Sequence, residues 1–180
     1  MASHVALLRG INVGGNRKLP MAELRALAEA LELENPRTYV ASGNLVFGSS
    51  LAREVLETML EGAIAERFGF PVDVIVRSAA EWSAYRAANP FPQESEASAN
   101  LVMLCVGKAA ATQAQLEVLR SRAVENERVE MRGDAYWIWF GNGAGRTKIG
   151  TGPAGKGSER SVWTTRNWRT VVALDEMMRE

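Results

Sequence analysis

Two short stretches carry the residues with the clearest chemical use. The first reads Asn12-Val13-Gly14-Gly15-Asn16-Arg17-Lys18-Leu19, and the second Asn142-Gly143-Ala144-Gly145-Arg146-Thr147-Lys148-Ile149. Aligned, they share Asn at the first position, Gly at the fourth, Lys at the seventh and an apolar residue at the eighth, a likeness that suggests internal duplication. Glycine permits backbone conformations in which amide N–H groups converge, and such a concavity accepts phosphate or carboxylate. A neighbouring Arg or Lys adds charge. The first stretch also leads into Pro20-Met21-Ala22-Glu23, a helix start whose partial positive charge favours an anion. Neither stretch is a nucleotide-hydrolysis loop. Gly10 to Gly15 has that spacing, but Asn16-Arg17 stands where Gly-Lys-Ser/Thr is required, and no Gly-x-Gly-x-x-Gly occurs there. The plain alternative is a pair of turns with lysines in water.

Other catalytic chemistry has little to work with. The single His4 rules out a multi-histidine metal site within one chain, and it precedes the first apolar run as an edge residue. Cys105 lies inside Leu101 to Val106, the setting of a buried thiol, and one cysteine makes no internal disulfide, which suits a reducing, cytoplasmic setting. Ser42 has no base beside it, Asp73 is flanked by strand residues, and Asp134 reads as a turn residue. Cofactors and catalytic residues are not indicated, and binding is better supported than catalysis.

Charge is even overall and uneven locally. Lys+Arg and Asp+Glu are both 21, which argues against bulk attraction to DNA or an anionic membrane. Residues 1–20 nevertheless carry Arg9, Arg17 and Lys18 with no acid, and residues 141–171 carry six cations against Glu159, a net of 6 − 1 = +5. The expected site gathers Arg9, Asn12, Gly14, Gly15, Lys18, Ser42, Asn44, Arg146, Lys148, Arg166 and Asn167 in a cleft between two halves. Its ligand would be a phosphorylated or anionic small molecule. The alternatives are single-stranded nucleic acid on a basic groove, and an interaction protein with no ligand site. Trp137 and Trp139 alternate with Tyr136, Ile138 and Phe140, so an open face could stack bases, whereas covering of both faces would remove that use.

The elements that must position these residues follow from periodicity. Val5 to Leu8, Arg37 to Val40, Asn44 to Phe47 and Val72 to Val76 read as strands, with helices from Pro20 to Leu31 and from Leu51 to Phe68. This order, βαββαβ over residues 1–77, is the ferredoxin-like unit, an α+β fold. Residues 78–99 read as a short helix followed by a Pro-rich linker from Asn89. Residues 100–180 repeat strand, helix, strand, strand and helix, an incomplete βαββα copy closing with a helix from Asn167 to Met178. No apolar run approaches the ~18 residues of a membrane span, and no secretory signal pattern opens the chain.

The residues also resemble a known family. Ala6-Leu7-Leu8-Arg9-Gly10-Ile11-Asn12-Val13-Gly14-Gly15, followed by Lys18, Pro20-Met21 and Leu24, is similar to the opening of the bacterial domain-of-unknown-function family 1697. Arg37-Thr38-Tyr39, Ser42-Gly43-Asn44, Phe47, Arg77-Ser78, Asn89-Pro90-Phe91, Gly145-Arg146, Lys148 and Thr164-Thr165-Arg166-Asn167-Trp168 resemble its later blocks. The resemblance implies a bacterial, cytosolic α+β protein and supplies no catalytic residue. It also implies a helix between the second loop and Thr164, where Gly150 to Gly157 is too rich in Gly and Pro for one.

Overall fold

A computed structural model describes residues 1–150 and 162–180. The expectation for Gly150 to Gly157 therefore falls, from Thr151 onward, outside the described residues. The strands are β1 (Ala2–Leu8), β2 (Glu34–Thr38), β3 (Asn44–Ser49), β4 (Val74–Ser78), β5 (Val102–Gly107), β6 (Glu127–Arg132), β7 (Ala135–Phe140) and β8 (Trp163–Asn167). The helices are α1 (Met21–Ala30), α2 (Arg53–Phe68), α3 (Ala79–Ala87), α4 (Pro92–Ala97), α5 (Gln113–Arg122) and α6 (Trp168–Arg179). Two compact units result, Met1–Ser83 with Ala173–Glu180, and Ala84–Val172. The first unit is thus discontinuous in sequence, and its boundaries fall within α3 and α6.

In the first unit the strands form an antiparallel sheet in the order β2-β3-β1-β4, the ferredoxin-like arrangement. One face, with Ala6, Leu8, Leu45, Phe47, Val74 and Val76, packs under Leu24 and Leu27 of α1 and Leu56, Leu60 and Ile64 of α2. Burying each such leucine contributes about 1.5–3 kcal/mol. Val5, Leu7 and Ile75 on the other face are buried as well, so β1 reads as a continuous apolar run rather than an alternating one. His4 is not the edge residue expected. It lies on the central strand β1, buried and stacked on Phe47 at 5.8 Å.

The outer edge of β4 is closed by carboxylates. The Val74 amide donates to Glu61 and the Val76 amide to Glu57 of α2, both at 2.9 Å, and the Ser78 amide donates to Glu81 of α3 at 2.8 Å. These bonds occupy the donors an incoming strand would need. The end of the chain also docks on this unit. Arg37 of β2 donates to the Met177 carbonyl and pairs with Glu180, and Ser83 donates to the buried Asp175.

The second unit has its own antiparallel sheet in the order β6-β7-β5-β8. Cys105, Tyr136, Ile138, Phe140 and Trp163 meet Leu116 and Leu119 of α5 in its core. The copy is therefore not short of its last strand: Trp163–Asn167 is that strand, and α6 begins one residue later than expected. Its polar composition concealed it, because Thr164 and Arg166 are buried polar residues in strand geometry. The linker expected from Asn89 contains α4, which Pro92 opens at a position where proline suits a helix.

Candidate functional site

The loop joining β1 to α1 is a small hairpin. Val13 and Asn16 bridge, with the Asn16 amide donating to the Val13 carbonyl at 3.1 Å and the Asn12 amide to the Arg17 carbonyl at 3.1 Å. Gly14 and Gly15 form the two-residue turn with φ of 59° and 79°, the left-handed pair that a type I′ turn requires. Both are exposed, and their amides donate to no acceptor among the described residues. Arg17 and Lys18 follow directly, exposed and without a carboxylate partner among the described residues. Arg9 at the base pairs with Asp73 at 3.4 Å, both half exposed, a geometry worth under about 1 kcal/mol.

Asn12 holds this hairpin in place. Its Nδ2 donates to the Leu19 carbonyl at 2.9 Å and the Ala41 carbonyl at 2.8 Å, while its Oδ1 accepts from the Leu19 amide at 2.8 Å. The loop is thereby tied both to itself and to the turn between β2 and β3. That turn comes close at Gly43, whose carbonyl accepts from the Leu8 amide at 2.8 Å. A Cβ at Gly43 would lie 2.8 Å from Leu8 Cβ and 2.7 Å from Ile11 Cδ1, at a φ of +87°. Asn44 is buried and donates to the Tyr39 carbonyl at 2.8 Å and to the Ser42 hydroxyl at 3.3 Å. Asn12, Ser42 and Asn44 thus shape the loops, and the ligand-facing candidates in this unit are Gly14, Gly15, Arg17 and Lys18, with Arg9 beside them.

Arg146, Lys148, Arg166 and Asn167 belong to the second unit. Arg146 closes a single 3-10 turn at Ala144–Arg146, and Arg146 and Lys148 are both exposed. The two Gly-Lys loops are not structural counterparts. The first follows the first strand of its unit, whereas the second follows β7, the third strand of its own. Their likeness therefore does not trace the repeat.

A different pair does. Val5 faces Arg77 on β4 as Leu104 faces Arg166 on β8. Both arginines are buried, and each Nη1 donates to the carbonyl of the preceding residue, Val76 or Thr165, at 2.8 Å. Arg166 also donates to the Thr164 hydroxyl at 2.8 Å, and burial pushes its guanidinium down to about 10. The next residues match too. Ser78 accepts from the Glu81 amide at 3.3 Å, and Asn167 from the Thr170 amide at 3.0 Å, each capping the helix that follows. Arg166 and Asn167 are built into strand and cap. The repeated Arg-Ser and Arg-Asn pairs before a helix were the available sequence signal.

The remaining candidates are enclosed. Burial lifts the Cys105 thiol to about 12 and lowers the His4 imidazole from its usual range. Trp137 is buried against Trp168 at 5.8 Å, and Trp139 is overlaid by Arg128 at 4.8 Å, so neither ring offers an open stacking face. Among the described residues no group of three His, Cys, Asp or Glu could hold a metal ion, and no helix is long and apolar enough to cross a membrane.

Comparison with known proteins agrees with this architecture. Residues 1–137 match the family described as a protein of unknown function, DUF1697, and the chain belongs to that family. It is similar in fold to the conserved bacterial protein SP0830 from Streptococcus pneumoniae, at 24% identity and a TM-score of 0.76 over 98% of each chain. No curated protein matches it.

Proposed function

We propose that this member of the DUF1697 family is a cytoplasmic protein that binds a phosphorylated or other anionic small ligand at the β1–α1 hairpin of its first unit. One observation carries the reading: two exposed glycine amides without an acceptor among the described residues sit at the tip of a clamped hairpin, next to Arg17 and Lys18. Amides and cations in that combination stabilise bound oxyanions. The insertion is particular to one unit, since the matching β5–α5 connection is only Lys108-Ala109-Ala110-Ala111-Thr112. Arg9 adds charge, and Asn12, Ser42 and Asn44 act as positioning residues. Arg146 and Lys148 are the second unit's candidates for the same ligand class, while Arg166 and Asn167 serve its fold.

Thermal unfolding with pyrophosphate, against chloride at equal ionic strength, tests this. Saturating ligand at a hundred times Kd stabilises by about 2.7 kcal/mol, which for a chain of this size is roughly 5–10 °C. Lys18→Ala with Arg17→Ala should remove that rise, while Arg166→Met should lower the melting temperature and keep the rise. A rise that survives the double substitution overturns the reading. Affinity that instead grows with oligonucleotide length and falls steeply with salt would favour single-stranded nucleic acid.

A further inference from the structure

Within the second unit, one cation sits between two aromatic side chains and a carboxylate. The Arg128 guanidinium carbon lies 5.0 Å from the Phe91 ring centroid and 4.8 Å from that of Trp139, and the guanidinium donates to Glu94. Aromatic faces with a nearby acid are the chemistry that selects guanidinium and alkylammonium groups.

The walls of this cage are held by contacts of their own. Phe91 is 2% exposed, its amide donates to Asn89 Oδ1 at 2.9 Å, and Asn89 in turn donates to Ser95 at 2.8 Å. The Trp139 ring rests so closely over Gly141 that a Cβ there would lie 2.5 Å from it. Glu94 stands in the first turn of α4, whose end is closed by the Ser98 amide donating to the Glu94 carbonyl at 2.8 Å. The occupant differs from the walls. The Arg128 side chain is 50% exposed on β6, directly across the ladder from Trp139. Arg128 is the half-exposed member of the set, whereas the Glu94 side chain is 22% exposed and Phe91 is buried.

We infer that Phe91, Trp139 and Glu94 form a guanidinium-binding cage with Arg128 as its resting occupant, and that an arginine of a partner protein docks there by displacing it. The resident group is itself a guanidinium, so the ring spacing and acid placement are those an incoming arginine needs. This site is independent of the glycine hairpin.

The probe is N-acetyl-arginine amide, followed by the indole N–H signal of Trp139 in the intact protein. Saturable movement is expected in the wild type, with at least tenfold tighter binding in Arg128→Ala, where no internal competitor remains. Trp139→Leu and Glu94→Gln, each placed in the Arg128→Ala background and read by melting temperature, should each weaken the probe by tenfold or more. N-acetyl-glutamine amide should leave the signal unmoved, and tetramethylammonium, which lacks the N–H groups for Glu94, should bind more weakly than the arginine probe. An unmoved Trp139 signal in the wild type, or equal affinity with and without Arg128, overturns the proposal. Should Arg128→Ala not fold, Arg128→Met takes its place, and the wild-type titration decides on its own.

Discussion

Replacing Gly43 by alanine measures how tightly the two loops of the first unit are pressed together. The new Cβ would lie 2.8 Å from Leu8 Cβ, an atom fixed to the central strand, and 2.7 Å from Ile11 Cδ1. A side chain at a left-handed φ costs about 1–2 kcal/mol, and overpacking adds about 1–3 kcal/mol, so the expected loss is roughly 2–5 kcal/mol. Gly14→Ala provides the reference. It shares the positive φ, at 59°, but a Cβ there meets nothing within 4 Å. The stiffer unfolded chain that alanine brings is common to both variants and drops out of their difference. That difference is mainly the packing contribution, with some added strain from the larger φ at Gly43, and it should lower the melting temperature of Gly43→Ala by at least about 2–12 °C relative to Gly14→Ala. Circular dichroism melts of the two variants and the wild type supply the comparison. Equal melting temperatures for the two would show that the β2–β3 turn does not press on Leu8 and Ile11, and the clamped hairpin would lose its support.

Asn12→Asp keeps the size of the side chain and removes the donor to the Leu19 and Ala41 carbonyls, so urea unfolding should show a loss of about 1–3 kcal/mol. Glu57→Ala strips the acceptor from the buried Val76 amide and should destabilise by about 1–3 kcal/mol. The edge of β4 is opened at the same time, so gel filtration should show concentration-dependent association, and a strictly unchanged elution would contradict the sealing role. Cys105, with its thiol held up at about 12, should resist a water-soluble disulfide reagent at pH 8 until denaturant is added, and rapid labelling of the native protein would contradict its burial. His4 titrates below its usual range because burial disfavours the cation. The unfolded chain then binds more protons, and stability should fall as pH drops below about 6.5 toward the lowered folded value. His4→Gln should flatten that part of the profile.

Much of the architecture was readable from pattern. The apolar runs at Val5 to Leu8 and Leu101 to Val106 became the central strands β1 and β5, and the stretch ended by Gly69 became α2. What escaped notice was set by partners distant in sequence. Trp163–Asn167 looks like loop because two of its three buried residues are the polar Thr164 and Arg166, which bond to each other in a strand that pairing with β5 sets. The turn at Gly14-Gly15 was legible, since two adjacent glycines suit the positive φ that a two-residue hairpin turn needs. The duties of Asn12 and Asn44 were not, because their acceptors at Ala41 and Tyr39 depend on the folded path of two loops. Likeness of short stretches misled where topology decides: four shared positions linked two loops that occupy different places in their units.

The order in which the chain is made adds a constraint on how it matures. Residues Ala173–Glu180 complete the first unit, yet they leave the ribosome after every residue of Ala84–Val172. Until then Arg37 lacks the Met177 carbonyl and Ser83 lacks Asp175. An N-terminal segment that starts to fold during synthesis thus waits for Ala173–Glu180, although its sheet and both covering helices are already made. A nascent protein interrupted anywhere before Ala173 would present an unfinished first unit to the quality-control machinery, whatever the state of the second.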